Sequence, residues 1–193
     1  RQGQLALDFQ PPRPERTPAK VVSLPVAAPP PASLFPRSRH PNASAANQAL
    51  AAKYFLEGAE LDDGEDRDLV AGAAAYRRPA LFDPQLVPAV VNLANIYYER
   101  DELVEAEALY EKAIRLDHEC FEAYFNLGNI HHDLARYPEA LSAYRDALSI
   151  NPSYPEAHFY LAVTLEKLGR ASEARPHWRE YRTLAPDGEF VAL

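Results

Sequence analysis

From residue 87 onward, small and apolar residues recur with a helical spacing, and the whole pattern then repeats. Leu93, Leu127 and Leu161 lie 34 residues apart, and each is followed by a small residue: Ala94, Gly128 and Ala162. Twelve residues after these come Ala106, Ala140 and Ala174, and then large aromatics at Tyr110, Tyr144 and Trp178. Ala113 and Ala147 follow in phase, where the last copy departs with Tyr181. The tetrapeptides LFDP, RLDH, SINP and TLAP end at Pro84, His118, Pro152 and Pro186, at the same 34-residue period. A fixed period of this length predicts stacked units, each too small to bury its own apolar stripe.

Each mark has a physical reading. Two antiparallel helices approach closely only where side chains are small, so alanine or glycine sits at the crossing. The aromatics fill the wedge between neighbouring hairpins. Proline, or its substitute, ends the second helix because it cannot continue the hydrogen-bond ladder. Pro138 fits the first turn of a second helix. Pro176 lies about one turn in and is expected among the amides that lack an intrahelical partner. Three units are predicted, at about 87–120, 121–154 and 155–188. A degenerate one at about 51–86 keeps Tyr54, Gly58 and Tyr76. There LDDGEDRD lengthens the turn by about two residues, and Pro79 is expected to kink the second helix. After Pro186, DGEFVAL reads as the start of a capping helix. The expected body, 48–193, is an all-α solenoid of about eight helices plus the beginning of that cap.

Period and marks together resemble the tetratricopeptide repeat family, over roughly 70% of the chain. The resemblance implies a right-handed array of helical hairpins whose first helices line a concave groove. It also implies which positions face that groove. In one unit these are Val91, Asn92, Asn95, Tyr98 and Glu99. The next gives Glu122, Phe125, Asn126, Asn129, His132 and Asp133, and the last gives Glu156, Phe159, Tyr160, Val163, Glu166 and Lys167. Asn92 and Asn126 are equivalent, as are Asn95 and Asn129. An asparagine amide both donates and accepts, so such a ladder can hold the backbone of an extended peptide irrespective of its sequence. The alternative is that these asparagines are solvated or structural. Phe125 and Phe159 are expected to be exposed unless a ligand covers them. The lysine and arginine clamp with which chaperone-binding members hold a terminal carboxylate is missing, and Phe125, Phe159 and Tyr160 occupy its zone. Aromatic and amide groups with acidic edges should prefer an apolar or basic segment.

Residues 1–47 are different in kind. They hold ten of the chain's 18 prolines, which block both helix and sheet ladder, so a flexible, extended leader is expected. Two apolar islands stand out in it: Leu5, Leu7 and Phe9, then Val21, Val22, Leu24 and Val26. The leader carries six basic and two acidic residues, net +4; the remainder carries 14 and 26, net −12. The acidic body argues against nucleic-acid contact by this fragment. No run of about 18 apolar residues marks a membrane span, and a lone cysteine fits a reducing, cytoplasmic setting. The leader's GQLALDFQ, its proline-rich stretch and the repeats in that order resemble bacterial MerR-type regulators that carry such repeats C-terminally. That resemblance implies a DNA-binding domain upstream of Arg1.

Catalytic and metal signatures are absent: there is no HExxH, CxxC, GxSxG, P-loop or GxGxxG. Adjacent His131 and His132 point to different helix faces. No enzyme and no cofactor is expected. The leading reading is a module that binds a protein or peptide segment in its groove. The other reading is a partner-sensing domain of a DNA-binding regulator. Limited proteolysis is expected to cut within residues 10–45 and to spare 87–186. Hydrogen exchange should be faster in 51–86 than in 121–154, because Gly72 and Pro79 disfavour the second helix there.

Overall fold

A computed structural model describes residues 45–62 and 68–186. Among these residues the chain forms helices and no strand. The segments are α1 (Ala45–Asp62), α2 (Leu69–Arg77), α3 (Pro79–Phe82), α4 (Val87–Glu99), α5 (Leu103–Leu116), α6 (Phe121–Asp133), α7 (Tyr137–Ile150), α8 (Pro155–Lys167) and α9 (Ala171–Leu184). The first helices α4, α6 and α8 begin 34 residues apart, and so do the second helices α5, α7 and α9. DGEFVAL and the leader lie outside the described residues.

Two kinds of turn hold that period. Within a hairpin, Asp101, Ala135 and Gly169 sit in the left-handed region, with φ of 61°, 55° and 72°. Each closes the same cap. The Asp101 N–H donates to the Tyr98 carbonyl (3.0 Å) and the Glu102 N–H to the Tyr97 carbonyl (2.9 Å). Ala135 with Arg136, and Gly169 with Arg170, make the same two bonds. This paired arrangement satisfies the last carbonyls of the first helix and reverses the chain. Between hairpins, Asp83, Asp117 and Asn151 each accept the N–H two residues on through a side-chain oxygen, at 2.9–3.2 Å. That short loop mimics a backbone turn and starts the next first helix.

Pro88, Pro138 and Pro155 stand in first turns, where their missing amide removes no bond. Pro176 does not. The ladder of α9 has already begun when the Ala174 N–H reaches the Arg170 carbonyl (3.3 Å), so Pro176 falls inside it and removes one bond. The N-terminal hairpin shows the effect of Pro79 more strongly than a kink. Arg78 keeps helical dihedrals (φ −64°, ψ −43°), yet α2 stops at Arg77 and α3 restarts at Pro79. The start of α2 is secured by Asp68, whose Oδ1 accepts the amides of Val70 and Ala71 (3.1 and 2.9 Å).

The helices pack as the small and aromatic marks require. A Cβ added to Gly128 would lie 2.6 Å from the Tyr144 ring, and one on Gly58 would lie 2.8 Å from Tyr76. The rings of Tyr76 and Tyr144 therefore press directly against the first helix of their own hairpin, and both are buried, as is Tyr110. Three apolar clusters follow one another along the array, centred on Tyr76, Tyr110 and Tyr144, with Trp178 packed against the last. First helices touch across repeats, α4 with α6 and α6 with α8, whereas no comparable contact joins α5 to α7 or α7 to α9. The first helices therefore form the inner side of a curve.

Alanine pays a steric penalty in the left-handed region of about 1 kcal/mol, which glycine avoids. Ala135→Gly is expected to stabilise the array by about that amount, and Gly169→Ala to destabilise it similarly. Urea unfolding of the two variants checks both signs.

Candidate functional site

The inner face is built from α4, α6 and α8. Its central feature is a set of asparagines tied to tyrosine hydroxyls from the second helices. The Tyr110 hydroxyl donates to Asn95 Oδ1 (2.6 Å), and the Tyr144 hydroxyl to Asn129 Oδ1 (2.8 Å). Asn92 Nδ2 donates to the Tyr76 hydroxyl (3.2 Å). Asn126 Nδ2 donates across the repeat boundary to Asn95 Oδ1 (3.0 Å). Burial pushes the hydroxyls of Tyr110 and Tyr144 well above the usual phenol range, so both keep the proton they donate.

Groove-facing positions imply side chains that point outward, so that Asn92→Ala with Asn126→Ala would weaken partner binding and leave folding little changed; this arrangement corrects that expectation. Asn92, Asn95, Asn126 and Asn129 do not face outward into solvent; none is more than 2% exposed. Their truncation therefore strips partners from buried tyrosines and cannot leave folding untouched. Phe125 and Phe159 are buried as well. Phe125 packs against the rings of Tyr144, Tyr154 and Tyr160, and Phe159 against Tyr160, Trp178 and Tyr181, with centroids 5.0–5.8 Å apart. Val91 and Tyr98 are likewise buried. Of the residues assigned to the groove, His132, Tyr160 and Val163 are half-buried and Glu166 is exposed, as are Glu99 and Lys167.

Polar capacity remains on this face. Asn92 Oδ1 and Asn129 Nδ2 are buried and have no hydrogen-bond partner among the described residues. The donor bond of Asn126 onto Asn95 Oδ1 has no counterpart one repeat on, where Tyr160 stands in place of Asn126 and stacks on Tyr144 (6.1 Å between centroids). Asn95 and Asn126 hold further partners besides those named.

Two cross-repeat contacts fix the outer end of the face. The Tyr98 hydroxyl donates to Asp133 Oδ2 (2.5 Å). His132 Nδ1 lies 2.8 Å from Thr164 Oγ1, whose single proton goes to the Tyr160 carbonyl (2.7 Å). Thr164 must therefore accept, and His132 carries its proton on Nδ1. Burial pulls the His132 imidazole below its ordinary range, which keeps it neutral at pH 7. Glu166 accepts from the Trp178 indole (2.9 Å). The accessible charges at this end are Glu99, Asp133, Glu166 and Lys167, an acidic excess.

Elsewhere the chemistry is structural. His158 Nε2 lies 2.9 Å from the Pro152 carbonyl and Nδ1 lies 3.0 Å from His177 Nδ1, so one proton joins the two rings between α8 and α9. Burial pushes the Cys120 thiol up to about 12, which leaves it protonated and a poor nucleophile. Among the described residues no group of three or more potential metal ligands gathers, and no helix is long and apolar enough to cross a membrane. The tyrosine hydroxyls and Thr164 were missing from the sequence reading. The signal for the former was present: Asn95 to Tyr110 and Asn129 to Tyr144 share a 15-residue spacing.

Tyr144→Phe should cost about 1–3 kcal/mol, the desolvation of an orphaned buried acceptor at Asn129. Tyr144→Phe combined with Asn129→Leu should recover part of it. Chemical denaturation of the two variants checks the pair.

A family model for the TPR repeat matches residues 94–135 and 128–169. No curated protein matches the chain. Among solved structures, a crystal structure of MamA aligns with a TM-score of 0.65 at 19% identity, covering 73% of this chain and 81% of that one. The first TPR of Spaghetti (RPAP3), bound to the HSP90 peptide SRMEEVD, aligns at 0.59 and 21%, covering 63% and 94%. The Arabidopsis OM64 TPR domain aligns at 0.59 and 21%, covering 63% and 98%. None of these bears on the likeness of GQLALDFQ to MerR-type regulators, and those residues lie outside the described ones. The chain thus carries tetratricopeptide repeats over residues 94–169, and the 34-residue period of its helices runs from α4 to α9.

Proposed function

We propose that this chain is a protein-interaction module that takes an extended, apolar or basic peptide segment along its inner face. The observation that carries this reading is the pair of unpaired amide groups on α4 and α6. Asn92 Oδ1 is an acceptor and Asn129 Nδ2 a donor, the two functions a peptide backbone offers in return. Half-buried His132 on α6 and Tyr160 and Val163 on α8 offer apolar contact for side chains. Most peptide-recognition grooves combine these two elements: backbone bonds that ignore sequence and pockets that read it.

The charges set the kind of peptide. Glu99, Asp133 and Glu166 outnumber Lys167 among the accessible charges at the outer end. An acidic segment such as the SRMEEVD peptide held by the RPAP3 repeat would meet like charge here. A segment with alternate apolar residues and one or two lysines or arginines would not.

The test is a selection from a randomised decapeptide library on the chain of residues 1–193. The enriched peptides should alternate apolar residues, favour lysine and arginine, and avoid aspartate and glutamate. Val163→Arg puts a like charge and lost apolar contact into the face without touching the asparagine–tyrosine bonds. It should weaken the selected peptides by about tenfold, or about 1.4 kcal/mol, with an unchanged melting temperature. Equal binding by wild type and Val163→Arg would place recognition somewhere other than the inner face.

A further inference from the structure

We infer that the chain carries its own occupant for this face: residues 4–10, QLALDFQ, docked in cis in extended form. This rests on the peptide-binding reading above and names one segment that fits it. The first argument is chemical form. Leu5, Leu7 and Phe9 alternate, so an extended backbone puts all three side chains on one side, about 6.6 Å apart in steps of two residues. No proline occurs in residues 1–10, so every amide of that segment can donate. The second island, Val21 to Val26, is interrupted by Pro25 and lacks that property. Asn92 Oδ1 and Asn129 Nδ2 require one backbone donor and one backbone acceptor, and the first island supplies both.

The second argument is charge. The segment itself carries Asp8, on the opposite side of an extended backbone from Leu5, Leu7 and Phe9. Arg1 precedes it and Arg13, Arg16, Lys20, Arg37 and Arg39 follow it, so residues 1–44 have a net charge of +4, against −12 for the rest of the chain. The accessible rim of the inner face carries Glu99, Asp133 and Glu166. Opposite charge on a tether raises the population of the docked state and its rate of return.

The third argument is reach. The 34 residues from Pro11 to Ser44 join the segment to the start of α1 at Ala45. Proline-rich chain extends about 3.1 Å per residue, so the tether spans up to about 100 Å. Neighbouring helices lie about 8–10 Å apart, so the face formed by α4, α6 and α8 is a few tens of ångströms across. The connection is more than long enough, and a flexible tether of this kind gives an effective concentration of about millimolar. An external peptide must displace the segment. A docked fraction of about nine-tenths weakens its apparent affinity about tenfold.

The experiment uses the full chain of residues 1–193. Nitroxide labels are placed at Gln4→Cys and Lys167→Cys, with buried Cys120 left in place. A short, narrow distance distribution that does not change with protein concentration is the expected result. It should collapse to a broad, long one in Leu5→Asp/Leu7→Asp/Phe9→Asp. The same triple variant should bind a synthetic RQGQLALDFQ peptide added in trans, and bind it about tenfold more tightly than the wild-type chain does. A broad distribution in the wild type, or no binding of that peptide by the triple variant, overturns the docking. The library selection then separates the two ideas. If selected peptides still bind and are still weakened by Val163→Arg, the inner face is a peptide site and only its self-occupancy is wrong. If they too ignore Val163→Arg, both fall.

Discussion

Everything in this array hangs on a tyrosine hydroxyl buried between two helices. The ring has to lie deep, because it fills the space that a small residue on the facing helix leaves open; at Gly128 there is no room for even a methyl group. Depth then creates a second requirement. A hydroxyl taken out of water without a partner costs more than the ring's polar edge can return. Asn95 and Asn129 meet that requirement inside their own hairpins, and Asn92 meets it for Tyr76 from the next one. Asn126 then bonds back to Asn95. One hairpin is thus left with polar groups that only its neighbour can satisfy. This ties the register of stacking to hydrogen bonding as well as to apolar area, which does not by itself choose a register.

The turns explain how the period survives while the sequence drifts. At the left-handed position the three repeats carry aspartate, alanine and glycine, yet the same two backbone bonds form each time. The bonds belong to the main chain, so side-chain identity changes only the strain. Between hairpins the reverse holds: an aspartate or asparagine oxygen makes the turn, and the three repeats carry Asp83, Asp117 and Asn151. The N-terminal hairpin lies at the limit of this tolerance. Its small residue and its tyrosine are in place, but Pro79 divides the second helix in two.

Much of this was legible in the residues themselves. The period, the small crossing positions and the aromatic wedges fix which helices form and where they touch, and the structure places them there. The environment of the asparagines was not legible, because their position gives a direction and not a set of neighbours. Position says that Asn92, Asn95, Asn126 and Asn129 project from the inner side of the first helices. It does not say that a tyrosine from the second helix waits within bonding distance. The choice of tyrosine over phenylalanine at 76, 110 and 144 carried that information, since a deeply buried phenol needs an acceptor or donor. Phe125 and Phe159 were misjudged for a related reason: an aromatic on the inner side looks exposed until the rings of Tyr154, Tyr160 and Tyr181 are counted around it. Pro176 shows the resolution limit of a helix boundary. A shift of one or two residues decides whether a proline removes a free amide or a ladder bond.

Magnitudes then decide what a peptide on this face would have to look like. Two backbone bonds, to Asn92 and Asn129, contribute about 0.5–1.5 kcal/mol each. Micromolar binding needs about 8.2 kcal/mol, and association costs about 4 kcal/mol or more before any contact is counted. The asparagines therefore orient a ligand and supply a minor part of its affinity. The shortfall of about 9–11 kcal/mol corresponds, at about 25 cal/mol per Å² of apolar surface, to roughly 370–450 Å² removed from water. Two or three large apolar side chains bury that much. Recognition on this face must then be read mainly through alternating apolar residues meeting Tyr160, Val163 and the rings behind them. The acidic rim adds selectivity against aspartate and glutamate more than it adds strength, because its carboxylates are accessible to water and screened by salt.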